Sequence, residues 1–509
     1  MRTTFGTFNI ATSGLFASQR SLDITSHNIT NANTEGYSRQ SVLQRATMPI
    51  GGDPTGILGT GVESYDVIRY RSEYLDQKLW GQNKSYAEWK TKMEGLQGIE
   101  AVFNEPSDTG IRKVMDDFFI SLEELIKKSG DSTNRVAVIE KAGTLAATIN
   151  RMGHEVLNNI RDTNFAIKNK VSEINSIASQ ITVLNKQIFN MELGKHRAND
   201  LRDQRNLLVD KLSSLVNIEV SENFDSEGNG YFRVGISGIT LLEHYNVNKI
   251  DIDNQDLAGI TDIGGGKISK VKWVGADGNL LDEVKIEAGE LKGLMDIRDG
   301  NGKNNSYRGL PFYLDQLNRF ARDFTREFNL LHNAGFDLNG AAGTDFFDEP
   351  VDTVAPIDAT DDWKNVNCVN MKVRSTIIAN PSLIAASSAS GGESNNENAK
   401  LLSDLRNKRD IFYASDNVTR LNGTPDDFIK SFLSALSVDA NQAKRLTENT
   451  EAIVKQTESK RLSETGVSLD EEMSNMVKFQ HAYNASARMI TSLDKVLDTM
   501  INRLGLVGR

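Results

Sequence analysis

The chain has 509 residues, 39% of them hydrophobic, which is enough for a sizeable core and suggests about three or four domains. A formal net charge of −11 and a pI near 5.3 argue against a nucleic-acid groove or an anionic membrane surface as the main partner. The single cysteine, Cys368, excludes an intrachain disulfide, no apolar run reaches the ~18–20 residues that span a bilayer, and the first residues lack the basic-then-apolar layout of a cleaved signal peptide.

Phe8, Ala11, Leu15, Ser18, Leu22, Thr25 and Ile29 step by alternating threes and fours, the seam of an amphipathic helix. Ser and Thr thin that seam. Asn28, Asn31, Asn33 and Gly36 then stop it, because Asn and Gly tolerate left-handed dihedrals and Asn can bond nearby backbone. A weak helix near a chain end frays unless something holds it. The Gly-rich stretch from Pro49 to Gly61 reads as loop, and Val62, Tyr65 and Val67 as a strand or an extended link.

Helical spacing then dominates. Leu75, Leu79, Tyr86, Trp89, Met93, Leu96 and Phe103 share a face, which Pro106 closes. Asp108 or Thr109 is the expected cap of the next helix, whose buried face is Ile111, Val114, Met115, Phe118, Leu122 and Leu125. From Ser132 to Leu193 there is no proline, and apolar residues from Ile139 to Met191 keep helical spacing. As one helix this stretch is ~90 Å long, a rod-like element, with Gly153 the place for a break. Leu201, Leu208, Leu212 and Leu215 mark a further helix.

At Asn217 the texture changes. Ile218–Val220, Tyr231–Ile236, Ile239–Leu242, Lys249–Ile252, Val271–Val274 and Val284–Ile286 are short β-rich runs between turn clusters such as Asp225–Gly230. Helix returns at Gly289-Glu290-Leu291 and continues through Leu310, Leu314, Leu317, Phe320, Phe324, Phe328 and Leu331. Residues 342–397 are irregular, with a strand at Val369–Ile378. Thr424-Pro425-Asp426-Asp427 starts another helix with a cap, a first-turn proline and acidic residues at the positive dipole end. Ile429, Phe432, Leu436, Ala443, Leu446 and Ile453 continue it.

After the loop Thr465-Gly466-Val467, Ser468 and Glu471 make a capping box for the last helix. Its seam is Met476, Phe479, Tyr483, Ala487, Ile490, Leu493, Leu497, Met500 and Leu504, again in threes and fours. The thin seam at Phe8–Ile29 is its natural partner. The expected fold is mainly α with inserted β. Paired, coiled-coil-like N- and C-terminal helices occupy 1–45 plus 466–509. A long-helix bundle takes 46–217, 290–341 and 398–465. A β-rich outer insertion spans 218–289, and a small irregular or β insertion 342–397.

Catalytic constellations are missing. None of His27, His154, His196, His244, His332 and His481 has the spacing of a zinc-binding helix pair. Gly264-Gly265-Gly266-Lys267 lacks the upstream glycine of a phosphate loop and reads as a hairpin turn. Asp251, Asp253 and Asp256 have no EF-hand spacing, and no G-x-S-x-G elbow occurs. No enzyme activity, metal or cofactor is expected.

Asn28-Ile29-Thr30-Asn31-Ala32-Asn33-Thr34-Glu35-Gly36-Tyr37-Ser38-Arg39-Gln40 resembles the N-terminal motif of the bacterial flagellar axial proteins (rod, hook and junction proteins), and its Ser-Arg ending is like the junction members. Thr465-Gly466-Val467-Ser468-Leu469-Asp470-Glu471-Glu472, with Phe479 to Arg488, is similar to the family's C-terminal motif. Asp200 to Leu208, His332 to Gly340 with Asp345-Phe346-Phe347, and Asn398 to Leu402 narrow the resemblance to the hook–filament junction branch.

The resemblance implies a structural component of the extracellular flagellum, secreted without a cleaved signal peptide and self-assembling through its terminal helices. The subunit-packing residues it implies are Phe8, Ala11, Leu15, Leu22, Ile29, Asn31, Asn33, Gly36, Tyr37, Arg39, Met476, Phe479, Tyr483, Ile490, Leu493, Leu497, Met500 and Leu504. The partners it implies are other copies in a ring, hook protein, a second junction protein on the filament side, and a cytoplasmic export chaperone reading Phe479, Tyr483, Ile490 and Leu497; neither nucleic acid nor membrane is expected. The alternatives are another axial protein (hook, rod or second junction protein), or an enzyme or adhesin carried on the outer β domain. The long helical middle speaks against rod and hook proteins.

Overall fold

The computed structural model describes residues 6–53, 56–103, 110–194, 197–224, 230–256, 266–275, 277–348, 365–390, 394–413 and 420–503. Helix α1 (Gly6–Thr30) leads into an antiparallel ribbon of β1 (Gln40–Ala46) and β4 (Val62–Arg69), paired from Gln40↔Arg69 to Ala46↔Val62. The short hairpin β2 (Ile50–Asp53) and β3 (Gly56–Leu58) forms its tip, so the Gly-rich stretch is not loop throughout. Strand β1, QSVLQRA, has too little apolar alternation to announce itself. It forms because β4 and α1 supply its partners: Gln44 Nε2 donates to Ser21 Oγ (2.9 Å), and Ser13 Oγ accepts from Val62 N (3.2 Å).

Helices α2 (Glu73–Phe103), α3 (Ile111–Lys127), α4 (Ser132–Glu192) and α5 (Asn199–Leu215) follow. The expected α3 caps, Asp108 and Thr109, lie outside the described residues; Gly110 is the N-cap and makes no side-chain bond. Helix α4 runs unbroken for 61 residues, roughly 90 Å, straight through Gly153. Its length has a packing reason, since its two halves serve two cores. Val138 to Ile160 pack into a Phe-rich core, and Ile167 to Ile188 lie on the half that carries the β insertion. Gly153 is not a break. A Cβ there would sit 2.6 Å from Cys368 Sγ and 2.7 Å from the Cys368 carbonyl oxygen, so the glycine admits a crossing backbone. Burial pushes the Cys368 thiol up to about 12, which leaves it unreactive.

The insertion is two antiparallel sheets. One is β5 (Glu219–Phe224), β6 (Gly230–Ile236), β7 (Ile239–Glu243) and β8 (Asn246–Val247); the other has order β11-β10-β9, from β9 (Ile250–Gln255), β10 (Ile268–Val274) and β11 (Leu280–Glu283). Val284–Ile286 is not a strand. The ladder ends at Glu283, and Val284 and Ile286 are buried by the docking of an irregular segment, with Val284 N donating to Val271 O (2.9 Å). Arg298, wholly buried, ties insertion to bundle through Asn164 Oδ1 (2.8 Å) and Ser269 O (2.7 Å).

The helix expected from Gly289 to Leu331 is two helices, α6 (Glu290–Asp299) and α7 (Leu310–Asn333). Between them Gly309 N donates to Gly300 O (2.8 Å), and Pro311 in the first turn of α7 is the signal for the new start. The expected strand at Val369–Ile378 reduces to β13 (Lys372–Val373), paired with β12 (Phe347–Asp348), and then turns into α8 (Ser375–Ala379). Here Arg374 N donates to Phe346 O (2.8 Å), and buried Arg135 reaches Ser129 O (2.8 Å) and Ile384 O (2.8 Å), pinning the irregular chain to α4. Helices α9 (Glu397–Asp404), α10 (Pro425–Thr465) and α11 (Leu469–Asp498) complete the chain. Helix α10 begins with the full Thr424–Asp427 capping box, but beyond Ala443 its buried positions are Thr447, Thr457 and Thr465, and Ile453 is exposed.

His332 is fully buried on α7. Its Nδ1 donates to Thr344 O (2.5 Å) and its Nε2 accepts from Ala385 N (2.9 Å), which fixes the neutral tautomer. Burial lowers its pKa from 6.5 to about 4. A folded value below the unfolded one means that this contribution is complete above pH 6.5 and is lost as pH falls toward 4. Between about pH 7 and pH 4.5 it amounts to about 2–3 kcal/mol, so His332→Gln is expected to flatten the acid side of the stability profile in urea denaturation.

Candidate functional site: the terminal helix pair and its polar base

Helices α1 and α11 pack along each other, as their matching heptads require. Asn28 Nδ2 donates to Glu472 Oε2 (3.0 Å), and a Cβ on Gly14 would lie 3.2 Å from Ser486 Oγ. Both pairs of residue numbers sum to 500, so the helices are antiparallel and in one register over that length.

The seam is only partly covered. On α1 the buried residues are small or polar: Ala11, Ala17, Ser18, Ser21, Thr25 and Asn28, whereas Phe8, Leu15, Leu22 and Ile29 are half-buried. On α11 Met476, Phe479, Tyr483, Ala487, Ile490, Leu493 and Leu497 are all half-buried, Met500 is 48% exposed, and Leu504 lies outside the described residues. Glu472 is the buried residue of α11 among those described. The reason is geometric: α1 lies along α11 while the ribbon packs on α1, and one helix cannot wrap the apolar stripe of a second helix.

The base of the pair is polar and highly connected. The Asn28 amide uses every valence: Nδ2 donates to Gln40 O (2.9 Å) and Glu472, and Oδ1 accepts from Gln40 N (3.0 Å) and Tyr37 Oη (2.7 Å). Tyr37 also meets His27 Nδ1 (3.0 Å), and burial with nearby Asp200, Asp203 and Glu472 pushes its phenol well above the usual range. Arg39 donates from Nε to Glu472 Oε1 (2.8 Å) and from Nη2 to Glu471 Oε1 (2.8 Å), while its backbone N donates to Thr465 O (2.8 Å). The expected capping box at the start of α11 is therefore half made. Ser468 Oγ accepts from Glu471 N (3.5 Å), but the Glu471 carboxylate is turned to Arg39.

One layer further in, Asp203 of α5 accepts from Ser38 N (2.8 Å), Ser38 Oγ (2.9 Å) and Arg69 Nη1 (2.6 Å). Gln40 Nε2 donates to Asp200 Oδ1 (2.7 Å). Arg71 forks onto Asp76 (2.6 and 3.0 Å), and Arg461 bonds Asp210 (2.7 Å), which also accepts from Trp80 Nε1 (2.6 Å). Of the other expected residues, Asn31 bonds His27 O (3.1 Å), Asn33 is an exposed turn residue, and Gly36 holds φ 79° with Leu207 3.1 Å from where a Cβ would be.

Tyr37 and Arg39 thus brace the corner within their own chain. Glu472, Asp203, Asp200, Arg69, Arg71 and Gln40 had no mark as site residues in the sequence. The signal that could have found Gln40, Asp200, Asp203 and Glu472 is that Asn28–Gln40, Asp200–Leu208 and Thr465–Glu472, three stretches carrying the family resemblance, meet here; Arg69 and Arg71 lie outside those stretches and carry no such signal.

A family model described as the flagellar hook-associated protein FlgK helical domain matches residues 96–347. Models of the flagellar basal body rod protein and of the flagellar basal body rod FlgEFG protein C-terminal match residues 8–37 and 458–504, the two ends joined at the polar base. The chain is 34% identical over 526 residues to flagellar hook-associated protein 1 of Bacillus subtilis (strain 168), covering 100% of both. It is 27% identical to the protein of that name from Salmonella typhimurium, over 97% of this chain and 99% of the relative. The solved flagellar hook junction protein FlgK of Burkholderia pseudomallei shares the fold, with a TM-score of 0.60 at 17% identity, covering 77% of this chain and 100% of that one. Full-length identity, both terminal models and the helical middle agree: the chain belongs to the flagellar hook-associated protein 1 family, structural components of the bacterial flagellum.

Proposed function

We propose that this chain builds the junction between hook and filament by assembling into a ring through α1 and α11. The observation that carries the reading is the half-buried heptad seam of α11, which a single chain leaves uncovered. Packing against neighbouring copies buries it, and that burial drives assembly. In this reading 1–45 and 466–509 are the assembly layer, with the ribbon, which crosses residue 45, moving with them. The rest of 46–217, with 290–341 and 398–465, is the wall, and 218–289 and 342–397 face outward.

Hook protein meets one edge of the ring, and a second junction protein with the filament meets the other. Before export, a cytoplasmic chaperone reads Phe479, Tyr483, Ile490 and Leu497, an amphipathic helix in a groove. The role is structural rather than enzymatic, and the site of action is extracellular.

A strain lacking the gene is expected to carry bare hooks and shed flagellin into the medium; normal filaments in that strain would refute the reading. In the purified monomer, hydrogen exchange is expected to be fast in α11 beyond Met476 and slow in α4.

A further inference from the structure

We infer that the Asn28–Glu472–Arg39 node sets the register of the terminal helix pair, and so decides which assembly surface the chain presents. The seam by itself discriminates weakly. Its register brings Thr25 level with Met476, Ser18 with Tyr483 and Ala11 with Ile490. A slip of one heptad moves Tyr483 from Ser18 to Ala11 or Thr25 and Phe479 from Leu22 to Leu15 or Ile29, small residue to small and large to large, at little change in buried apolar area. Gly14 accepts any neighbour, since it has no side chain. Helix pairs of this kind need a polar group to choose among registers.

Glu472 has the properties of such a group. Its side chain is 3% exposed, and both carboxylate oxygens are taken, Oε1 by Arg39 Nε (2.8 Å) and Oε2 by Asn28 Nδ2 (3.0 Å). Its partners cannot follow a slip. The amide of Asn28 is fixed on both sides by the backbone of Gln40, and Arg39 is fixed by its own backbone bond to Thr465 O. Any other register leaves a buried carboxylate without a partner, which is the costly outcome. The node therefore contributes specificity rather than area, joining residues 444 positions apart in sequence.

The inference rests on α1 and α11 being the assembly element, but it is read from which cysteine pair forms and not from whether copies assemble, so it fails separately from that reading. The experiment is cysteine cross-linking of the full chain with diamide. Gly14→Cys with Ser486→Cys reports the native register, and Gly14→Cys with Phe479→Cys or Leu493→Cys reports a one-heptad slip either way. Cys368 stays in place, its thiol being buried.

With Glu472 intact, the native pair is expected to form at least about tenfold more cross-link than either slipped pair. In a Glu472→Leu background the slipped pairs are expected to approach the native one. Unchanged selectivity in that background overturns the inference. Should α11 detach there, so that no pair cross-links, Arg39→Met, which leaves Asn28 holding Glu472, is read by the same criterion.

Discussion

Asp203→Ala is expected to destabilise the chain by about 3–5 kcal/mol, the largest loss from a single surface-distant side chain at the polar base. Asp203 is 4% exposed and carries three bonds at once: Ser38 N, Ser38 Oγ and Arg69 Nη1. Burial already lowers the pKa of Arg69, working against its charge, with Asp203 the main compensation. Removing the carboxylate strands that cation and leaves the Ser38 N–H unpaired in a site closed to water. Asp203→Asn keeps one acceptor oxygen but loses the charge and turns the second oxygen, also in use as an acceptor, into an N–H donor, so about half of the loss or more is expected. Urea denaturation followed by circular dichroism measures both. A loss below about 1 kcal/mol for the alanine variant would show that the base is solvated rather than sealed.

Gly153→Ala and Gly143→Ala, ten residues apart on α4, are expected to act with opposite signs. In a helix interior, alanine is favoured over glycine by about 1 kcal/mol, because glycine loses more backbone freedom on folding. Gly143 has nothing within 4 Å of where a Cβ would stand, so its substitution is expected to raise stability by about 0.5–1 kcal/mol. At Gly153 the new methyl meets the Cys368 carbonyl oxygen at 2.7 Å, and the backbone of 367–371, held by Asn318 Oδ1 to Cys368 N (2.9 Å), cannot simply withdraw. A loss of about 1–3 kcal/mol is expected there. Thermal unfolding of the two variants side by side separates the readings: if both stabilise, Gly153 is not the crossing point that the packing implies.

Much of the architecture was legible in the chain. The rods announce themselves by sustained apolar spacing without proline, as from Ser132 to Glu192, and by local start signals such as Thr424-Pro425-Asp426-Asp427. The seams Phe8–Ile29 and Met476–Leu497 share one period, which is enough to pair them. Where reading failed, the local signal was weaker than a tertiary demand. Val284–Ile286 is β-rich but is used as buried irregular chain, and Val369–Ile378 has strand composition but is bent by the bonds from Arg374 N to Phe346 O and from Asn150 Nδ2 to Met371 O. The gap at Gly300–Gly309 interrupts a periodicity that continues on both sides of it.

The candidate site divides the same way. By itself the sequence determined the helical class, the inserted β segment, the two heptad seams and the Asn-rich break at Asn28–Gly36, because period, caps and turn residues are local properties. Only the tertiary structure decided that Tyr37 and Arg39 face their own chain, that Glu471 leaves its cap for Arg39, and that Glu472, Asp203 and Asn28 form one base. Arg39 and Glu472 stand 433 positions apart, and no local rule selects a hydrogen-bond partner at that distance; the folded bundle does, by bringing the ends of α1, α5 and α11 to one point and excluding water from it.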